Sequence, residues 1–208
     1  SCWYGCGNTS LPNPSTMRIG ITADGRIVLH QGAMDIGQGA NTVITQIAAD
    51  ALGVPVHDVH ILGGDTDLTP DCGKTSASRQ TFVSGNAAML SGKALRDMVL
   101  RHGNVDADAK IAIDGAVLTL ADAGGGTLRI ALADMPVNDY GYVFMAEETY
   151  DPPTSPLDEK GQGIPYAVFG YGAQIVELSV DPALGRVRLE KITTAHDVGR
   201  AINPLLVE

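Results

Sequence analysis

The chain has 208 residues, 44% of them apolar and 18% charged, a composition that suits a folded domain with a sizeable core and excludes disorder. Its formal net charge is −10, and it has no run of Lys or Arg; nucleic-acid phosphates are held by clustered cations, so a nucleic-acid partner is excluded. No apolar stretch reaches the roughly twenty residues of a membrane span and no leader-like segment opens the chain, so a cytoplasmic protein without a membrane span is expected.

Three cysteines do not make a disulfide framework, which fits a reducing compartment. The chain starts at Ser1 and stops at Leu205-Leu206-Val207-Glu208, just after an Asn203-Pro204 turn signal, and reads as a piece of a longer polypeptide. Residues 15–21 and 27–31 are β-prone runs around Ala23-Asp24-Gly25, a turn that supplies positive φ, and predict a hairpin. The loop Met34-Asp35-Ile36-Gly37-Gln38-Gly39 follows. Over 41–52, Ile44, Ile47, Ala48, Ala51 and Leu52 recur at helical spacing, with Gly53 as a stop and Pro55 beyond. Residues 59–62 read as a strand, and 63–73 as a turn-rich loop leading into Thr75-Ser76-Ala77-Ser78-Arg79-Gln80. A second helix is predicted over 81–101.

Farther on, 111–118 reads as a hairpin about Asp114-Gly115, and 123–126 as a flexible break. Residues 151–163 form an extended Pro/Gly/Ser loop. Residues 174–180 and 186–194 alternate around the 181–185 turn as a long hairpin. The order implies an α+β fold, two layers, with a mixed sheet and helices on one face.

Both small-residue loops sit ahead of a predicted helix. The first amides of a helix lack intrahelical acceptors and lie at the positive end of its dipole, so two such starts make a seat for an anion. Gln38 offers a donor and an acceptor to a heterocycle edge; Arg79 presents a fork suited to phosphate, with Gln80 beside it. Either loop alone is better explained by turn formation and capping; the pair, in consecutive strand-loop-helix units, favours a ligand. A P-loop is rejected because Gly73-Lys74-Thr75 has Leu68 where the leading glycine belongs, and the dinucleotide fingerprint fails at Thr42.

His57 and His60, three apart, would face opposite ways on a strand, and Cys2 and Cys6 have no second cysteine pair, so neither pair makes a metal site. Cys72 reads as a buried or bystander thiol. There is no Gly-x-Ser-x-Gly elbow and no histidine partner for Ser78. Glu147-Glu148 reads as a solvated strand edge, and His196-Asp197-Val198-Gly199-Arg200 as a tight turn with an Arg-carboxylate contact.

Taken in order, Met34 to Gly39, Thr75 to Gln80 with Gly85-Asn86-Ala87, and His196 to Pro204 resemble the molybdenum-cofactor-binding large subunit of the xanthine dehydrogenase and aldehyde oxidase family. The likeness includes Trp3-Tyr4-Gly5 and the loop from Pro152 to Asp158, which is similar to bacterial members with separate subunits; Cys6 and Cys72 depart from it. The resemblance implies a molybdenum-pyranopterin (molybdopterin, with or without a nucleotide) held by its own dithiolene, needing no side-chain metal ligand. It implies that Ile36, Gly37, Gln38, Gly39, Ser76, Ala77, Ser78, Arg79 and Gln80 hold this cofactor. It implies an oxidoreductase that hydroxylates an aldehyde or N-heteroaromatic small molecule with water as oxygen source and passes electrons to iron-sulfur and FAD-bearing domains or subunits. The family's catalytic Glu lies beyond Glu208, so residues 1–208 are expected to form part of a molybdopterin-binding domain, inactive without the remainder of the large subunit. The alternative is a non-catalytic module binding a phosphate-bearing metabolite.

Overall fold

A computed structural model of the chain describes residues 2–4 and 12–207; Cys6 and Glu208 lie outside these. Strands β2 (Ser15–Thr22) and β3 (Ile27–Gln31) form the predicted hairpin, with Gly25 at φ 83 in its turn. Helix α1 (Ala40–Leu52) then crosses over to β4 (Val59–Gly63), which lies parallel to β3. Strand β8 (Tyr142–Tyr150) joins the other edge antiparallel to β2, giving a four-stranded mixed sheet in the order β4-β3-β2-β8.

Helices α1 and α2 (Gly85–Gly103) pack on each other, and α2 lies against β2 and β8. Met17, Ile19 and Ile21 alternate on the inner face of β2 and, with Leu29 of β3, meet Ile44 and Leu52 of α1 and Leu95 of α2, all fully buried. The helices approach closely where Gly92 faces Ala48: a Cβ there would come within 2.8 Å of the Ala48 carbonyl oxygen. Gly53, at φ 84, ends α1 as its position predicts, its amide bonded to the Ala49 carbonyl. This is the expected two-layer α+β arrangement. Among the described residues no helix is long and apolar enough to cross a membrane.

Two further antiparallel sheets attach to this unit. The first holds β5 (Lys110–Asp114), β6 (Val117–Ala121) and β7 (Thr127–Ala131). The break read at 123–126 is the turn of a second hairpin: the Asp122 amide bonds the Gly126 carbonyl, and the Asp122 carboxylate takes the Gly126 amide back at 2.7 Å. The second holds β9 (Phe169–Asp181) and β10 (Arg186–Asp197), the predicted long hairpin, with β1 (Cys2–Tyr4) along the start of β9. Cross-strand pairs Val180 with Val187, Leu178 with Leu189 and Val176 with Ile192 share one face of the hairpin, and all six side chains are about half exposed.

Candidate functional site

The first loop leaves the end of β3 and enters α1, whose N-terminal residue follows Gly39 in the left-handed region (φ 79). Asp35 controls it. One carboxylate oxygen, Oδ1, accepts the amides of Gly37 (2.8 Å) and Gly39 (3.4 Å), and the other, Oδ2, accepts the Asn41 amide at 2.9 Å. The expected anion seat at this helix start is thus partly taken from within the chain, because an aspartate just upstream reaches the Gly39 and Asn41 amides. All three amides, led by Asn41 and Gly37, hold the Asp35 carboxyl below the usual carboxylate range. The Gln38 side chain folds back in the same way: its Oε1 accepts the Ile36 amide at 2.7 Å and its Nε2 donates weakly to the Met34 carbonyl at 3.4 Å. What faces outward is Ile36, 74% exposed, with Gly37 and Gln38; at Gly37 (φ 101) a Cβ would meet no atom within 4 Å.

The second loop divides in two. Ser76, Ala77 and Ser78 are exposed, and Ala77 (φ 51) and Ser78 (φ 54) both occupy the left-handed region. Side-chain-bearing residues pay about 1–2 kcal/mol each there, so surrounding contacts must hold the turn. Arg79 and Gln80 supply those contacts and are 1% and 5% exposed. The fork expected to meet phosphate is instead spent on the protein: Arg79 Nε donates to Asn13 Oδ1 (2.8 Å), Nη1 to the carbonyls of Cys72 (2.5 Å) and Lys74 (3.1 Å), and Nη2 to those of Pro14 (2.9 Å) and Asn13 (3.3 Å). Gly73 lets the guanidinium in, since a Cβ on it would lie 2.7 Å from Nη1. The chain then enters a π-helical turn over Gln80–Ser84 before α2, so the predicted second helix starts as a wider coil than its periodicity implies.

The two loops touch. The Thr75 hydroxyl donates to the Met34 carbonyl at 2.8 Å, bringing the outward faces of 36–38 and 76–78 side by side. The long connection ahead of the second loop is pinned by His30, whose Nδ1 lies 2.9 Å from the Leu68 carbonyl. That contact requires Nδ1 to carry the proton, so Nε2 accepts from the Tyr142 hydroxyl at 2.5 Å, and burial pushes the His30 pKa down, keeping the ring neutral.

Beyond Ser78 a largely apolar cleft of about 640 Å³ opens between the π-helical turn and the start of α2 (Thr81, Phe82, Asn86) on one side and the start of β9 (Phe169, Tyr171) and Val198, just past β10, on the other. The third sequence motif therefore reaches the same neighbourhood as the second. Its tight turn is present, with Gly199 at φ 65 and its amide on Asp197 Oδ1 at 2.9 Å. The expected Arg-carboxylate contact is not: among the described residues no ion pair involves Arg200.

The other candidates stand apart from this region. Glu147 lies on edge strand β8 and pairs with Arg18 at 2.7 Å. His57 sits in a short 3₁₀ turn, 3.5 Å from the Asp58 carboxylate, rather than on the strand that carries His60. Cys72 is buried and free, its thiol donating to the Thr16 carbonyl at 3.0 Å. Residues that sequence reasoning passed over as site-builders are Asp35, Thr75 and Asn13. An aspartate ahead of Gly-x-Gly at a helix start is a readable capping signal; Thr75 and Asn13 carry none, because their partners are remote in the chain.

Comparison with known proteins gives a consistent result. Residues 1–208 match the family described as Molybdopterin cofactor-binding domain. The chain is 33% identical over 193 residues to a probable hypoxanthine oxidase, XdhD, of Escherichia coli (strain K12), covering 90% of this chain and 19% of that protein. It is 30% identical over 205 residues to a putative xanthine dehydrogenase molybdenum-binding subunit, XdhA, of the same organism, covering 92% and 25% respectively. The aldehyde oxidoreductase of Desulfovibrio desulfuricans superposes with a TM-score of 0.71 at 28% identity, over 98% of this chain and 20% of that one. The chain thus spans about a fifth to a quarter of the length of these relatives.

Proposed function

We propose a function on one premise: the chain belongs to the molybdopterin cofactor-binding domain family, of the xanthine dehydrogenase and aldehyde oxidase kind. Residues 1–208 make up part of that domain within a longer, cytoplasmic subunit, and the two loops form one wall of the cofactor pocket. The observation that carries this reading is the Thr75 to Met34 hydrogen bond, which sets Ile36, Gly37 and Gln38 beside Ser76, Ala77 and Ser78. Two further features fit the group. Gln31 Oε1, at the end of β3 beneath the first loop, is buried with no hydrogen-bond partner among the described residues, and a buried acceptor in want of a donor marks a place where a polar ligand is accommodated. Gly37 leaves its outward side open to close approach of a ring.

Ile36, Gly37, Gln38 and Gly39 hold the pterin end through an apolar side chain, bare backbone and one amide; Ser76, Ala77 and Ser78 offer successive amides and two hydroxyls to polar oxygens. Arg79 and Gln80 support that turn from beneath. When bound, the cofactor supplies the two-electron chemistry by which an aldehyde or N-heteroaromatic substrate is oxidised with water as oxygen source, electrons leaving to iron-sulfur and FAD-bearing partners. The chain's own contribution is to orient and to exclude water. A module for a phosphate-bearing metabolite fits less well, since the guanidinium on which it would depend is spent on backbone carbonyls and Asp35 already takes the Asn41 amide at the start of α1.

The test is Gln38→Ala in the complete enzyme, with molybdenum and pterin measured by metal analysis and fluorescence of the released pterin. The variant should lose cofactor content by about tenfold, the equivalent of roughly 1.4 kcal/mol. Wild-type content together with unchanged activity would remove Gln38 from the site.

A further inference from the structure

A continuous chain of donors runs from the sheet to the first loop by way of the second. Ser15, fully buried on β2, lies 2.8 Å from Ser84 Oγ in the π-helical turn. Ser84 donates to Gln80 Oε1, so its proton is used and Ser15 must be the donor of that pair. Gln80 Nε2 donates to the Thr75 hydroxyl at 3.2 Å and to the Lys74 carbonyl at 3.2 Å. The amide orientation is fixed, because a flip would set its oxygen against the Lys74 carbonyl. With the Gln80 donor on its oxygen, Thr75 turns its own proton to the Met34 carbonyl at 2.8 Å. Every link points the same way, and hydrogen bonds in such a line polarise one another.

We infer that Thr75 is a positioning residue that locks the two loops in one register, with Gln80 and Ser84 aiming its hydroxyl and Ser15 anchoring the line in the sheet. This role is distinct from contact with the cofactor: Gln80 is 5% exposed and has its amide committed on both sides, so it acts through Thr75. Thr75 carries the bridge to the first loop. Losing its hydroxyl frees the Met34 carbonyl, leaving it the long contact from Gln38, and the segment that carries Ile36, Gly37 and Gln38 gains freedom relative to Ser76, Ala77 and Ser78. The inference rests on the cofactor reading above.

The experiment compares the complete enzyme with its Thr75→Val, Thr75→Ala and Thr75→Ser variants. Two quantities are measured: amide hydrogen exchange at Ile36, whose N–H is bonded to Gln38, and the rate at which pterin and molybdenum are lost on dilution. Thr75→Val should speed both by about tenfold, the effect of one lost hydrogen bond of roughly 1–1.5 kcal/mol, and Thr75→Ser, which keeps the donor, should restore both. Thr75→Ala carries the same test if the valine does not fold. Unchanged Ile36 exchange without the hydroxyl, or failure of the serine to rescue it, overturns the lock. Faster Ile36 exchange in Thr75→Val, together with a wild-type complete enzyme that carries no molybdenum or pterin when both are supplied, upholds the lock while overturning the cofactor reading, so the two failures are told apart.

Discussion

The first loop closes on itself, whereas the second is held from outside. Between Met34 and Asn41 the amides go to Asp35 and Gln38, residues of the same short segment. Between Lys74 and Ser84 the anchors lie at Asn13, Pro14 and Ser15, sixty and more residues upstream. A self-closed loop keeps its shape through local chemistry and leans on its neighbour only for placement, which Thr75 provides. An externally anchored loop can carry two adjacent residues in the left-handed region, because the cost is carried by contacts elsewhere. The two sides of the candidate pocket should therefore respond differently to substitution.

The largest effect should come from Arg79→Ala. It strips buried donors from several carbonyls and leaves a void, and hydrogen bonds to a charged group are worth about 1.5–3 kcal/mol each before that void is counted. Chemical unfolding of the complete subunit should register a loss of about 3–5 kcal/mol; a loss under about 1 kcal/mol would place the anchor of the second loop elsewhere.

Asp35 offers the contrasting probe, at about 1 kcal/mol for Asp35→Ala, the usual worth of a helix cap. Its pKa is lowered in the folded protein by the amides of Asn41 and Gly37. The sign follows: its stabilisation is complete above the unfolded value of about 3.9 and is lost as pH falls through the lower folded value. Asparagine caps nearly as well without titrating, so Asp35→Asn should keep most neutral-pH stability and flatten that acid limb; an acid limb as steep as wild type would break the cap assignment.

The smallest effect belongs to Ala77→Gly. Relief of a left-handed residue and the added freedom of glycine in the unfolded chain nearly offset, leaving a change of at most about 1 kcal/mol in favour of the variant. A clear destabilisation would mean that the methyl group itself is in use.

Much of this fold was legible because its signals are local. Gly53 stops α1, Asp24-Gly25 and Asp114-Gly115 turn hairpins, and the apolar spacing from Ile44 to Leu52 gives the buried stripe of a helix. Strand β7 was harder to read: Leu128 and Ile130 do alternate with Thr127 and Arg129, but the run is only five residues long, directly follows the glycine-rich turn, and its pairing depends on β6. At the site, both loops and their exposed residues could be found from glycine and serine content. The direction of Arg79 could not, since a guanidinium beside a helix start reads equally well as facing solvent or reaching inward. The carbonyls of Cys72 and Pro14 and the Asn13 side chain, brought together by the fold, decide between them.

The long hairpin of β9 and β10 has a practical consequence. Its strands pair with hardly an interruption, yet its apolar face, from Val176 to Val180 and from Val187 to Ile192, stays half in water. Two-stranded ribbons are marginal by themselves, and a flat row of valine, leucine and isoleucine invites other chains to lie on it. Residues 1–208 on their own should therefore self-associate through that ribbon as concentration rises, which sedimentation velocity over a concentration series would show.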